Sequence, residues 1–140
     1  MTETKKILVA EDAEVSRQLP CMTLERQGYE VLAAEDGLKA YNLALSASPD
    51  LIVTDVSMPG ADGAHLVRRV RDTDTLAATP IIVTTGFGTG GATLTLTAGA
   101  DAYEPKPVNP SSLLETVRRL LAEGRGGAGA AGDDAAGEDL

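Results

Sequence analysis

An α/β fold built on a parallel five-stranded sheet, with helices on both faces, is predicted by two features of the sequence. Apolar runs of strand length recur near residues 5–10, 30–34, 51–55, 80–84 and 101–104, and segments of helical pattern or length separate them. Turn and stop signals punctuate the alternation: Gly28, Asp36-Gly37, Ser48-Pro49-Asp50 and Met58-Pro59-Gly60. Strands that alternate with helices form parallel βαβ units with right-handed crossovers, so every strand ends on the same edge of the sheet.

The elements follow in order. Lys5 to Ala10 is a short apolar strand closed by Glu11-Asp12. A helix then runs to about Gln27, with Val15, Leu19, Met22 and Cys21 read as inward and Gly28 as its stop. Pro20 lies inside it, where it removes the hydrogen bond to the Ser16 carbonyl and is expected to kink the helix. Glu30–Ala34 is the second strand. Asp36-Gly37 turns into a helix from Leu38 to about Ala47, whose apolar stripe is Tyr41, Leu45 and the alanines.

The third strand, Leu51–Asp55, runs apolar into a lone carboxylate, and Met58-Pro59-Gly60 turns the chain after it. Asp62 is placed to cap a helix through Leu66, Val67 and Val70, with Arg68, Arg69 and Arg71 read as its exposed face. Pro80–Thr84 is the fourth strand, ending in Thr85-Gly86. Residues 88–98 are rich in glycine and threonine, poor helix formers, so a helix there depends on packing and is expected to be short or mobile. Asp101–Glu104 is the fifth strand and leads to Lys106-Pro107. The last helix has Asn109 as cap, Pro110 in its first turn and Leu113, Leu114, Val117, Leu120 and Leu121 along it.

At 140 residues the chain fits one domain with a core of its own. Residues 1–123 read as that domain, and the Gly/Ala/Asp-rich residues 124–140 as a disordered tail or the start of a linker. The single cysteine, Cys21, forms no internal disulfide, and no apolar run has the length of a membrane span or signal peptide. The expectation is a cytoplasmic protein without membrane insertion. The net charge is −9, of which residues 1–123 carry −6. Scattered lysines and arginines on such a chain argue against direct nucleic-acid binding.

Glu11, Asp12, Asp55, Thr85 and Lys106 all follow strand ends, so the predicted topology gathers them at the edge where ligands bind in open α/β sheets. Three neighbouring carboxylates repel one another unless a cation joins them, and hard oxygens of this kind suit Mg²⁺ completed by a phosphate. Lysine, hydroxyl and backbone N–H groups at Asp55 and Gly86 are suited to phosphoryl oxygens. No histidine or cysteine is placed to attack, which leaves Asp55 as the nucleophile and an aspartyl phosphate as its product. Gly86-Phe87-Gly88-Thr89-Gly90-Gly91 is not read as a nucleotide loop, since it lacks a P-loop lysine and an acidic ribose partner.

Together, Glu11-Asp12, Asp55 through Gly60, Thr85-Gly86, Tyr103 and Lys106-Pro107 resemble the receiver domain of two-component response regulators. The likeness covers residues 5–123 and is nearest to the stand-alone, chemotaxis-regulator-like type. It implies a flavodoxin-like sheet of order 2-1-3-4-5. It also implies that Asp55 takes a phosphoryl group from a sensor histidine kinase or histidine phosphotransfer protein. Asp12, Asp55 and the Ser57 carbonyl would hold Mg²⁺, with Glu11 acting through water. Thr85 and Tyr103 would be the switch pair, Lys106 the phosphate's counter-charge, and the face of the fourth helix, fifth strand and last helix would control a protein partner; Arg118 and Arg119 on that last helix have a better claim to docking than Arg68, Arg69 and Arg71, without being assigned to it. A cis Lys106-Pro107 bond is expected, because the lysine must turn back over the pocket. Glu104 and Pro105 depart from the family's usual apolar and small or polar residues, Thr85–Gly99 looks one residue short, and Pro20 is unusual.

Other functions compete with the phospho-switch. The leading reading is a stand-alone switch, and the tail leaves open a receiver fragment of a larger regulator or hybrid kinase as the alternative. An aspartate-nucleophile phosphatase is disfavoured because Ser57 stands where such enzymes place a second Asp. A binding module with an idle acidic pocket is the third reading, against which the complete pocket argues.

Overall fold

The structure, a computed structural model, describes residues 4–56, 63–86 and 99–131, with side chains described as far as residue 124. Five strands, β1 (Lys6–Ala10), β2 (Glu30–Ala34), β3 (Leu51–Asp55), β4 (Ile81–Thr85) and β5 (Ala102–Pro105), form one parallel sheet in the order β2-β1-β3-β4-β5. This is the flavodoxin-like order. Four helices accompany it among the described residues: α1 (Glu14–Arg26), α2 (Gly37–Ala47), α3 (Gly63–Asp72) and α4 (Pro110–Ala131). No helix among them is long and apolar enough to cross a membrane.

The strands are unbroken apolar runs because both sides of the sheet are covered. Ile7, Val9, Leu51, Val53 and Ile82 pack with Leu24 of α1 and with Leu113, Val117 and Leu120 of α4. On the opposite side Leu8, Ala10, Ile52, Ile81 and Val83 meet Ala40 and Ala44 of α2 and Leu66, Val67 and Val70 of α3. Each fully buried Leu, Ile or Val contributes about 1.5–3 kcal/mol, so these two clusters dominate the stabilising side of the balance.

Polar groups mark the ends of the elements. Asp36 caps α2 by accepting from the Lys39 N–H at 2.7 Å, and Ser48 closes it in the left-handed region at φ 51°. Asn109 caps α4 through the Ser112 N–H at 3.0 Å. The α4 helix is interrupted at Gly124, where φ is 72°. The first, fourth and fifth strands each start one residue later than the sequence suggests. For β5 the reason is Asp101, whose carboxylate accepts the Ile81 N–H at 2.8 Å instead of continuing the strand as a spacer.

Three readings of side-chain exposure are corrected. Val15 (81% exposed), Leu19 (44%) and Met22 (46%) lie outward on α1, which buries Pro20 and Leu24 and half-buries Cys21. Leu24 anchors the inner face of α1 in the core, and its carbonyl accepts the N–H groups of Gln27 and Tyr29 in the turn to β2. The helix also runs unbroken through Pro20. Leu45 is likewise exposed, and Ala40 and Ala44 make the inner line of α2.

The third correction concerns α3, where of the three arginines Arg68 is exposed and Arg69 and Arg71 are half-buried. The Arg69 guanidinium lies 3.8 Å from the centre of the Tyr41 ring, whose hydroxyl is 2.7 Å from Thr73 Oγ1. Arg71 turns under the sheet, where it bonds the carbonyls of Ala77, Thr79 and Gly99 and pairs with Asp101 at 2.8 Å. Ser57, the Met58-Pro59-Gly60 turn, the Asp62 cap and the segment 88–98, expected to hold a short or mobile helix, lie outside the described residues.

Candidate functional site

The site forms where β1, β3 and β4 end and the chain leaves β5. Parallel register aligns these ends: Ala10 is level with Thr54, and Asp55 with Thr84. One residue past β1, the Glu11 N–H still bonds the Ala34 carbonyl at 3.0 Å, which carries its side chain inward as if on the strand. Asp12 follows and is exposed. Arg17 reaches back from α1 to the Glu11 and Asp12 carbonyls at 2.8 and 3.3 Å, fixing the turn that presents both acids.

Asp55 is buried, and its Oδ1 accepts the Val56 N–H at 2.9 Å. Lys106 is brought across by its own backbone, whose N–H bonds the Thr85 carbonyl at 2.8 Å, and the Lys106-Pro107 peptide is cis. Its ammonium then sits 2.8 Å from Glu11 Oε1 and 3.2 Å from Asp55 Oδ1. Glu11, Asp12 and Asp55 each offer an oxygen within 4.8 Å of the others.

Burial and neighbouring charges act together on the two central groups. Burial pushes the Glu11 carboxyl above its usual range, and the Asp55 charge adds to that, while the Lys106 hydrogen bond pulls the other way. Burial lowers the Lys106 ammonium, but the Glu11 hydrogen bond and the charges of Asp55 and Glu11 outweigh it, leaving lysine above its ordinary value. One ammonium among three carboxylates leaves an excess of two negative charges when all are ionised. A divalent cation balances that excess, and three hard oxygens this close fit Mg²⁺.

Beside the acids lies a cavity of about 570 Å³. Val15, Leu19, Pro20, Val53 and Val108 give it apolar walls, and Glu11, Thr84 and Lys106 reach its polar end.

Among the residues predicted for the site, geometry brings together Glu11, Asp12, Asp55 and Lys106. Thr85 joins through its carbonyl bond to Lys106. Tyr103 stands apart, half-buried on β5 level with Val83 and packed against the α2 and α3 side of the core. Ser57 is outside the described residues. Sequence reasoning missed Arg17, which reads as an ordinary helix-surface charge. It also missed Gly63, whose N–H donates to the Val56 carbonyl at 2.9 Å and whose α-carbon packs on the Asp55 carbonyl.

Comparison with known proteins adds to this geometry. A family model described as the response regulator receiver domain matches residues 7–118. The chain is 36% identical over 122 residues to the transcriptional regulatory protein CseB of Streptomyces avermitilis, a match covering 86% of this chain and 51% of that protein. It therefore spans about half the length of that relative. It is 31% identical over 121 residues to the polar-differentiation response regulator DivK of Brucella ovis, covering 86% of this chain and 98% of DivK.

Among solved structures, the chemotaxis response regulator CheY4 of Vibrio cholerae matches with a TM-score of 0.77 and 34% identity over 84% of this chain and 99% of that one. The receiver domain of sensor histidine kinase PA1611 of Pseudomonas aeruginosa PAO1, solved with magnesium coordinated in its active-site cleft, matches with a TM-score of 0.79 and 28% identity. That match covers 86% of this chain and 99% of the other.

Proposed function

The chain belongs to the response regulator receiver domain family, and from that premise we propose that Asp55 is its phosphoryl acceptor, charged by a sensor histidine kinase or a histidine phosphotransfer protein. The observation that carries the reading is the Lys106 ammonium held between Glu11 and Asp55 beside a third carboxylate. The Val56 N–H and Lys106 engage Oδ1 and so orient the carboxylate, which attacks phosphorus through Oδ2. The bond from phosphorus to the donor's imidazole nitrogen breaks as the acyl phosphate forms. Lys106 then neutralises a phosphoryl oxygen.

Asp12, Asp55 and the Ser57 carbonyl would hold Mg²⁺, with Glu11 acting through water. When bound, the ion would supply positive charge for the acceptor carboxylate and the incoming phosphoryl group alike. The donor approaches over the apolar cavity and the exposed Val15 and Leu19. Thr85 then turns toward the phosphoryl group and Tyr103 takes up the vacated space. β5 and α4 belong to the face that this change presents to a protein partner, and segment 87–98, expected to complete it, lies outside the described residues. Residues 1–123 are the receiver unit, at work in the cytoplasm, and the composition after Gly124 is that of a tail or linker.

Receiver domains are switches and not turnover enzymes, and one incubation separates the readings. With Mg²⁺ and acetyl phosphate, an acceptor gains one phosphoryl group per chain. A phosphatase instead turns over an aryl phosphate, and an idle module does neither.

A further inference from the structure

Glu104 is a buried acid that the acceptor site does not use. It lies on β5, two residues before Lys106, and is 5% exposed. A carboxylate withdrawn from water needs hydrogen-bond donors. Here Ser112 Oγ donates to Oε1 at 2.8 Å and Thr116 Oγ1 to Oε2 at 2.9 Å. The two hydroxyls are one helical turn apart on α4, so both reach a single strand position. Ser112 is in the first turn of α4, where the helix end favours negative charge.

Between Lys106 and the first residue of α4 there are only Pro107, Val108 and Asn109. This short connection is pinned at one end by the Lys106 N–H on the Thr85 carbonyl and at the other by Glu104 on α4. Apolar packing at residue 104 would press the helix on the strand but leave it free to turn. Two directional bonds to hydroxyls at fixed spacing set both its rotation and its register.

We propose that Glu104 is a positioning residue: its clasp on Ser112 and Thr116 fixes the start of α4 against β5 and thereby holds Lys106 over Glu11 and Asp55. The kinetic consequence rests on Asp55 being the acceptor, whereas the structural consequence does not. Glu104→Leu removes the clasp while keeping the position filled. Glu104→Gln removes the charge but keeps an acceptor and a donor for the two hydroxyls.

The experiment compares both variants, with Lys106 present and in the Lys106→Ala background, for the initial rate of Mg²⁺-dependent phosphoryl uptake from acetyl phosphate. Glu104→Leu is expected to slow uptake about tenfold and Glu104→Gln by less than about twofold. In the Lys106→Ala background, Glu104→Leu is expected to have almost no further effect, because the group it acts through is gone. Equal slowing by Leu in both backgrounds, no slowing at all, or a Gln variant as slow as Leu overturns the proposal.

Amide hydrogen exchange reads the same clasp without phosphorylation and decides if no phosphoryl uptake occurs. The Lys106 and Leu113 N–H groups, bonded to the Thr85 and Asn109 carbonyls, should lose protection about tenfold in Glu104→Leu while the β3 amides keep theirs. A uniform change through the chain, or none at these two amides, contradicts it.

Discussion

The α-carbon of Gly63 is packed so closely on Asp55 that a β-carbon there would overlap the Asp55 carbonyl oxygen and lie 2.7 Å from the Val56 α-carbon. Neither backbone can give way without moving the end of β3 that carries Asp55. Gly63→Ala is therefore expected to lower stability by about 2 kcal/mol or more and to weaken Mg²⁺ binding. Gly86, at the end of the neighbouring strand, has open space where a β-carbon would go. Gly86→Ala should be neutral or gain up to about 1 kcal/mol. Urea unfolding of both variants checks the contrast.

Asp12 is the exposed member of the acid group. Its negative charge stands close to those of Glu11 and Asp55, which Lys106 pairs with while Arg17 bonds only the backbone carbonyls beside it. Asp12→Asn is expected to leave the metal-free protein as stable or slightly more stable, while weakening Mg²⁺ binding by about tenfold or more. Calorimetric titration with Mg²⁺ and thermal unfolding in EDTA give the two numbers. A variant that loses stability without losing metal affinity contradicts the metal role.

The raised Glu11 carboxyl has a consequence for pH. A folded carboxyl that keeps its proton to higher pH than the unfolded chain gives stability that is present at the acid end and lost as pH rises through the raised value. Without metal, the unfolding free energy of wild type minus that of Glu11→Gln should therefore fall as pH climbs from the ordinary 4.5 upward. With saturating Mg²⁺ the slope is expected to reverse, because a cation held beside Glu11 would favour its deprotonated form.

The sheet is legible in the sequence because its strands are buried on both faces. Such runs stay apolar throughout, so their positions are read to within one residue. The convergence of Glu11, Asp12, Asp55 and Lys106 follows from element order alone, since parallel crossovers put all strand ends on one edge. Helix rotation is less legible. On α1 the residues Val15, Leu19 and Met22 recur at helical spacing, yet they face outward, while Leu24 and a proline lie inside. Glu104 stands out in the sequence as an acid within a strand. Its partners do not, because Ser112 and Thr116 are commonplace helix residues until the fold lays α4 on β5.

Arg71 was equally hidden, as three arginines on one helix look like a solvated face. Its guanidinium fork holds three carbonyls and the Asp101 carboxylate, an arrangement lysine cannot reproduce. Arg71→Ala is expected to destabilise by about 3 kcal/mol or more, and Arg71→Lys to recover only part of that loss. Arg68→Ala, on the exposed face, should change stability by less than about 0.5 kcal/mol. Equilibrium denaturation of the three variants tests the ranking.

Intact mass before and after incubation with Mg²⁺ and acetyl phosphate tests the central claim most directly. Wild type is expected to gain one phosphoryl group, and EDTA added beforehand to prevent the gain. Asp55→Asn, which retains the shape of the side chain but not the nucleophilic carboxylate, is expected to gain none. An Asp55→Asn protein that takes up the same mass, or a wild type that takes up none under any Mg²⁺ concentration, would contradict the account.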